Sequence, residues 1–143
     1  YLEIFRTLQE TTSYEYLATG ELSKIIDPQN NTTNFEYDIL GRLIKKTDSL
    51  GKITELAYDK NGNVTQETDP NGNIKTFEYD SLDQLTKRVL PDNTYEFDYD
   101  VRGNVSQIKN LVSQIDFIYE RNEAGDLVDA VQTKGLGAHA DLP

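Results

Sequence analysis

Apolar and polar residues alternate in short runs along this chain, and the runs are separated by turn residues. One set of runs reads Thr33-Phe35-Tyr37, Thr54-Leu56-Tyr58, Lys75-Phe77-Tyr79, Tyr95-Phe97-Tyr99 and Ile115-Phe117-Tyr119. The residues between them are polar or small: Asn34 and Glu36, Glu55 and Ala57, Thr76 and Glu78, Glu96 and Asp98, Asp116 and Ile118. Period-two alternation of this kind predicts a strand with one apolar face and one wet face. Each run is followed by a return run that begins with an aliphatic residue: Leu22, Leu43, Val64, Leu85, Val105 and Leu127. β-branched and aromatic residues are frequent in both runs, as β structure favours. No window carries a 3.6-residue stripe.

Two turn signals lie in each unit. One is Asp-Pro-x-x or Asp-x-x-Gly, as at Asp27-Pro28, Asp48 to Gly51, Asp69-Pro70-Asn71-Gly72 and, without the pattern's full length, Pro91-Asp92-Asn93. The other is Tyr-Asp-x-x-Gly, as in Tyr37-Asp38 to Gly41, Tyr58-Asp59 to Gly62 and Tyr99-Asp100 to Gly103. Asp bonds backbone N–H groups two residues on, Pro presets φ and Gly supplies positive φ. After Tyr79-Asp80 the glycine is replaced by Asp83, which tolerates left-handed backbone better than most residues. Short strands joined by tight turns predict an antiparallel meander. The expected fold is all-β: a repetitive antiparallel β-hairpin array forming a twisted, curved strip or spiral.

The tyrosines at 16, 37, 58, 79, 99 and 119 are separated by 21, 21, 21, 20 and 20 residues. A fixed period of this length marks an array of one small unit. Residues 1–13 read as a partial repeat, 14–128 as about six units, and the Gly/Ala-rich 129–143 as a linker or tail. The structural roles fall on Tyr37, Asp38, Gly41, Asp59, Gly62, Asp69, Pro70, Gly72, Phe77, Asp80, Phe97, Asp100 and Gly103. Sheet edges are expected at 1–13 and 119–128, where edge-to-edge self-association would occur.

Composition narrows the function. The chain has 143 residues, 36% hydrophobic and 27% charged, with a net charge of −11. Phosphate binding depends on clustered Lys and Arg, so a nucleic-acid partner is disfavoured. No apolar run approaches the roughly 18–20 residues of a membrane helix, so no membrane insertion is expected. The chain has no Cys and no Met and opens on Tyr1. It is therefore expected to be a processed product or a piece of something larger, and the lack of a leader carries no weight.

The motif Tyr-Asp-x-x-Gly-[Arg/Asn]-[Leu/Val] is carried by Tyr37-Asp38 with Gly41-Arg42-Leu43 and by Tyr58-Asp59 with Gly62-Asn63-Val64. Thr47-Asp48, Gly51, Thr68-Asp69-Pro70, Gly72, Phe77 and Tyr79 complete the pattern. Over residues 14–128 it resembles the YD repeat, also called the RHS repeat. The resemblance implies a large secreted or cell-surface parent whose β-hairpins wind into a hollow shell. Bacterial toxin-complex and Rhs proteins enclose a toxic C-terminal domain in such a shell, and teneurins use a related barrel in adhesion. The implied partners are other repeats of the same parent. Leu17 and Glu120 stand where the pattern has Asp, and six units would form one wall of a container.

Candidate chemistry is sparse. The single histidine, His139, lies in the unpatterned tail, and there is no Cys, so neither a standard triad nor a thiol site is available. No serine sits in a Gly-x-Ser-x-Gly elbow. Every aspartate of the motif belongs to a turn, so no enzyme activity and no cofactor are expected. Calcium held by the column of Asp38, Asp59, Asp80 and Asp100 is the alternative to turn bonding. Tyrosines stack on sugars and amides bond hydroxyls, so Tyr58, Tyr79, Tyr99, Asn63, Asn73 and Asn104 are the candidate residues for a carbohydrate or cell-surface ligand. Two functions follow: a structural shell module for containment or display, and a carbohydrate-binding or adhesion module. Aromatics exposed on the face opposite Phe77 would favour the second.

Overall fold

The computed structural model describes residues 11–134. It contains twelve strands and no helix, and sheet order follows chain order from β1 to β12. The chain divides into two compact units, one holding 11–56 with Asp69–Gly72, the other holding Ala57–Thr68 with 73–134. In the first lie β1 (Ser13–Tyr16), β2 (Leu22–Ile26), β3 (Thr32–Tyr37) and β4 (Leu43–Thr47), and β5 (Ile53–Tyr58) crosses the boundary. The second holds β6 (Val64–Thr68), β7 (Ile74–Tyr79), β8 (Leu85–Val89), β9 (Thr94–Tyr99), β10 (Val105–Asn110), β11 (Ile115–Arg121) and β12 (Leu127–Lys134).

The alternation predicted from sequence is present. Along β5, half-buried Thr54, Leu56 and Tyr58 alternate with exposed Ile53, Glu55 and Ala57. In the first unit Phe35 stands opposite Lys46 and Tyr37 opposite Leu43; in the second Phe77 stands opposite Arg88 and Phe97 opposite Ile108. The wet face carries cross-strand ion pairs: Lys24 with Glu15 (3.0 Å) and Lys45 with Glu36 (3.1 Å) in the first unit, and Lys109 with Asp98 (2.6 Å) in the second. Among the described residues no side chain is fully buried. The ladder of Tyr and Phe is a half-buried stripe, and cross-strand contacts of about 0.2–1 kcal/mol per pair carry much of the stability.

Both turns of a unit turn out to be one device. At Asp38 the N–H donates to the Arg42 carbonyl (2.9 Å) and the Gly41 N–H donates back to the Asp38 carbonyl (3.0 Å). At Asp48 the same bonds run to Lys52 (2.9 Å) and from Gly51 (3.0 Å). This is a turn closed by a left-handed residue, the usual way of fitting a longer hairpin loop to twisted strands. Gly41 has φ +76° and Gly51 +75°, while Asn30 (+64°) and Asp83 (+60°) fill the same place in their own turns. Between β8 and β9 the loop is shorter: the Leu90 N–H reaches the Asn93 carbonyl at 2.7 Å. One residue is lost there, which accounts for the spacing of 20 between Tyr79 and Tyr99.

The last unit differs from the sequence reading. Its turn runs from Asn122 to Asp126, with the Gly125 N–H donating to the Asn122 carbonyl (2.9 Å). Arg121 stands opposite Leu127, as Tyr37 stands opposite Leu43. Arg121 and Asn122 therefore hold the places assigned to Tyr119 and Glu120. The cause is strand length: β10 and β11 each run one residue longer than β8 and β9 around a connection of equal length, in which Gln114 takes a φ of +56° and its N–H donates to the Asn110 carbonyl (2.9 Å). β12 continues to Lys134, so strand pairing runs through 129–134, read from sequence as linker. Among the described residues β11 is paired on both sides, so the outermost strand towards this end is β12, where an edge was expected at 119–128. Towards the other end the outermost described strand is β1; residues 1–10, which hold most of the edge expected at 1–13, and His139 lie outside the described residues.

Candidate functional site

The motif residues converge where each hairpin turns. The turn aspartates use their carboxylates on their own loops. Asp38 Oδ1 accepts the N–H groups of Leu40 (2.9 Å) and Arg42 (3.0 Å), and Oδ2 accepts the Arg42 Nε–H (2.7 Å). Asp59, Asp80 and Asp100 accept the corresponding pairs from Asn61 and Asn63, Leu82 and Gln84, and Arg102 and Asn104, all at 2.8–3.0 Å. The carboxyls of Asp38, Asp59 and Asp100 sit below the usual range. The Arg42 side chain is the main cause at Asp38; at Asp59 desolvation opposes the shift but the amides of Asn63 and Asn61 outweigh it; at Asp100 the Asn104 backbone N–H leads. A carboxylate bonded this way is favoured as the anion. Asp69 accepts the Asn71 N–H (2.8 Å), Gly72 takes a φ of +83°, and Pro70 occupies the turn between them.

The tyrosines reach backward. The Tyr37 phenol donates to the Leu22 carbonyl (2.9 Å), Tyr79 to Val64 (3.0 Å) and Tyr99 to Leu85 (2.9 Å). Each bond joins the end of one hairpin to the first residue of the preceding return strand. Burial, reinforced by Asp59 near Tyr79 and by Asp80 near Tyr99, pushes these two phenols above their ordinary range. Half-buried tyrosines of this kind ordinarily find such a partner.

The six ligand candidates are not assembled into one site. Tyr79 and Tyr99 have their hydroxyls bonded as above, and Tyr58 is half-buried. Asn63 donates to Asp59 Oδ2 (3.1 Å) and Asp83 Oδ1 (2.7 Å), and Asn104 donates to Asp100 Oδ2 (3.1 Å). Asn73 precedes β7, at the opposite end of that strand from Tyr79. The exposed aromatics Tyr14, Tyr16 and Phe117 lie in the same alternation as the Tyr and Phe stripe, not on the other face.

Sequence reasoning missed three contacts. Asp83 accepts from both Asn61 and Asn63 (2.7 Å each), clasping one turn to the next. Arg88 lies over Tyr95 (4.9 Å) and Phe97 (5.9 Å) in a cation–π arrangement. Arg102 donates to the Glu123 carbonyl of the following turn. Only the last turn had a signal in the sequence: Asn122 stands three residues before Gly125, the spacing of the Asp-x-x-Gly turns. A cleft of about 210 Å3 beside it is lined by Asp100, Arg102, Ser106, Tyr119 and Arg121. Both guanidiniums there bond carbonyls of the same turn, Arg121 through Gly125 at 3.2 Å.

Comparison with known proteins agrees with this geometry. A family model described as the teneurin YD-shell matches residues 14–137. A crystal structure of TcdB2-TccC3-Cdc42 is similar at a TM-score of 0.74 and 23% identity, covering 85% of this chain and 7% of that one. A Photorhabdus luminescens Tc holotoxin pore is similar at 0.72 and 23%, with the same coverage. The chain thus spans a small part of the length of those it matches, and at this identity the likeness shows the fold. No curated protein matches the chain.

Proposed function

Because the chain belongs to the teneurin YD-shell family, we propose that it serves as a non-catalytic wall segment of a β-hairpin shell in a secreted or cell-surface parent, helping to contain or display a toxin-like domain. The observation that carries this is the use of the motif's polar groups. The turn carboxylates, the phenols of Tyr37, Tyr79 and Tyr99, and the amides of Asn63 and Asn104 bond the array itself. Groups so engaged hold hairpins in register, and ligand binding would require breaking bonds that stabilise the wall. The partners of this segment are then further repeats of its parent.

The competing function is carbohydrate or cell-surface binding through Tyr58, Tyr79 and Tyr99. A glycan array probed with the chain and with its Tyr79→Phe and Tyr99→Phe variants separates the two. A wall gives a flat array and a lower unfolding midpoint in each variant. Saturable binding to one glycan class, abolished by Tyr79→Phe with an unchanged midpoint, would overturn the proposal.

A further inference from the structure

Two of the chain's asparagines are followed by glycine, in Asn61-Gly62 and Asn71-Gly72. Each pair closes a hairpin turn. An Asn-Gly pair is able to react with itself. The glycine nitrogen lies within reach of the asparagine side-chain carbonyl carbon, and glycine has no Cβ to hinder the approach. By sequence the two pairs are equivalent, and their backbones agree. The Asn61 N–H donates to Asp59 Oδ1 (2.9 Å) and the Asn71 N–H to Asp69 Oδ1 (2.8 Å). Gly62 and Gly72 take φ of +99° and +83°, and a Cβ built on either would meet nothing within 4 Å.

The side chains differ. The Asn61 amide donates to the Asp83 carboxylate at 2.7 Å, a charge-assisted bond. That bond fixes the side chain, and it places negative charge beside a reaction whose intermediate carries negative charge on the amide oxygen. The exposed Asn71 side chain has no hydrogen bond among the described residues. Its turn lies mid-array, between β6 and β7, away from both ends of the described residues. The glycine N–H groups, which donate to the carbonyls of Asp59 (3.3 Å) and Asp69 (2.9 Å), work the other way, since Gly72 is held more tightly. Both of those bonds are neutral, however, and a charge-assisted bond is roughly twice as strong as a neutral one. The side-chain difference therefore decides.

We propose that Asn71 is a self-modification site, converting to aspartyl or isoaspartyl in the folded chain, while Asp83 protects Asn61. The Gly72 nitrogen attacks Asn71 Cγ and the N–Cγ bond forms. The Gly72 proton passes through water to Nδ2, the Cγ–Nδ2 bond breaks, and ammonia leaves. Water then opens the cyclic imide at either carbonyl. One opening restores the original backbone with a carboxyl in place of the amide. The other routes the backbone through Cγ and adds a methylene to the turn. Water is the only co-reactant, and nothing is oxidised or reduced. With the added methylene, the bond from the Gly72 N–H to the Asp69 carbonyl no longer fits, so the product loosens this hairpin. Either product adds a negative charge to the turn.

The test is peptide mapping by mass spectrometry of the full 143-residue chain, held folded at mildly alkaline pH and sampled over weeks, with the urea-unfolded chain alongside. Each pair's folded rate is divided by its rate in urea, which removes the influence of neighbouring residues. The ratio for Asn71 is expected to exceed that for Asn61 by at least about fivefold, the rate equivalent of one net hydrogen bond. Asp83→Gly removes the clasp while supplying the glycine that the equivalent turns carry. It should raise Asn61 to the Asn71 ratio or above and leave Asn71 unchanged. Equal ratios in the folded wild-type chain, a higher ratio at Asn61, or an Asn61 ratio indifferent to Asp83→Gly would each overturn the proposal. So would an Asn71 that stays intact in the folded chain while the unfolded chain converts.

Discussion

At position 83 the repeat carries Asp where the equivalent turns carry Gly41, Gly62 and Gly103, and its φ is +60°. Left-handed backbone costs an ordinary residue roughly 1–2 kcal/mol. Here the side chain gives something in return, accepting from Asn61 and Asn63. Asp83→Gly removes the strain and the two bonds together, so its expected effect on stability is within about 0.5 kcal/mol. Asp83→Ala keeps the strain and loses the bonds, and should cost about 1–2 kcal/mol. Urea unfolding of the two variants checks this; equal effects would remove the role given to the side chain. The turn itself was legible in the sequence, because Asp and Gly act on backbone within four residues. The clasp was not, because its donors lie 20 and 22 residues away in the chain.

The strands were legible for a similar reason. Alternation is a local signal, and it placed Phe35, Phe77 and Phe97 on one face with the tyrosines. The degree of burial was not readable, since it depends on what covers the face. A buried ladder would make Phe77→Ala cost about 3–5 kcal/mol. Phe77 is half-buried opposite Arg88, with no fully enclosed side chain among the described residues, so about 1–2 kcal/mol is expected. Chemical denaturation measures it, and a loss above about 4 kcal/mol would show that this face is enclosed. The drift of the last unit escaped notice because Tyr119 imitates the period. The turn spacing from Asn122 to Gly125 was the better guide, since hairpin bonds fix spacing more tightly than strand length does.

For the molecule as a whole, the same tyrosines and aspartates set its response to pH. The folded-state pKa values of Tyr79 and Tyr99 are raised by burial and by neighbouring carboxylates. Between the unfolded and folded values the folded state holds more protons, so stability is full below about pH 10 and falls as pH rises further. Tyr79→Phe with Tyr99→Phe should flatten that fall in a series of unfolding curves; an unaltered slope would count against the burial of these phenols beside Asp59 and Asp80. The carboxyls of Asp27, Asp38, Asp59 and Asp100 are depressed, so their stabilisation is present above about pH 4 and is lost as pH falls through their folded values.

The central claim is that the repeated motif is a set of internal bonds, one set per turn, and residue-resolved amide hydrogen exchange addresses it most directly. Slow exchange is predicted at the turn amides of Asp38, Asp59, Asp80 and Asp100, and at Asn122 in place of Glu120 at the last turn. Rapid exchange at these amides, with protection confined to the strands, would contradict it, because the turns would then not be closed by the motif's own bonds.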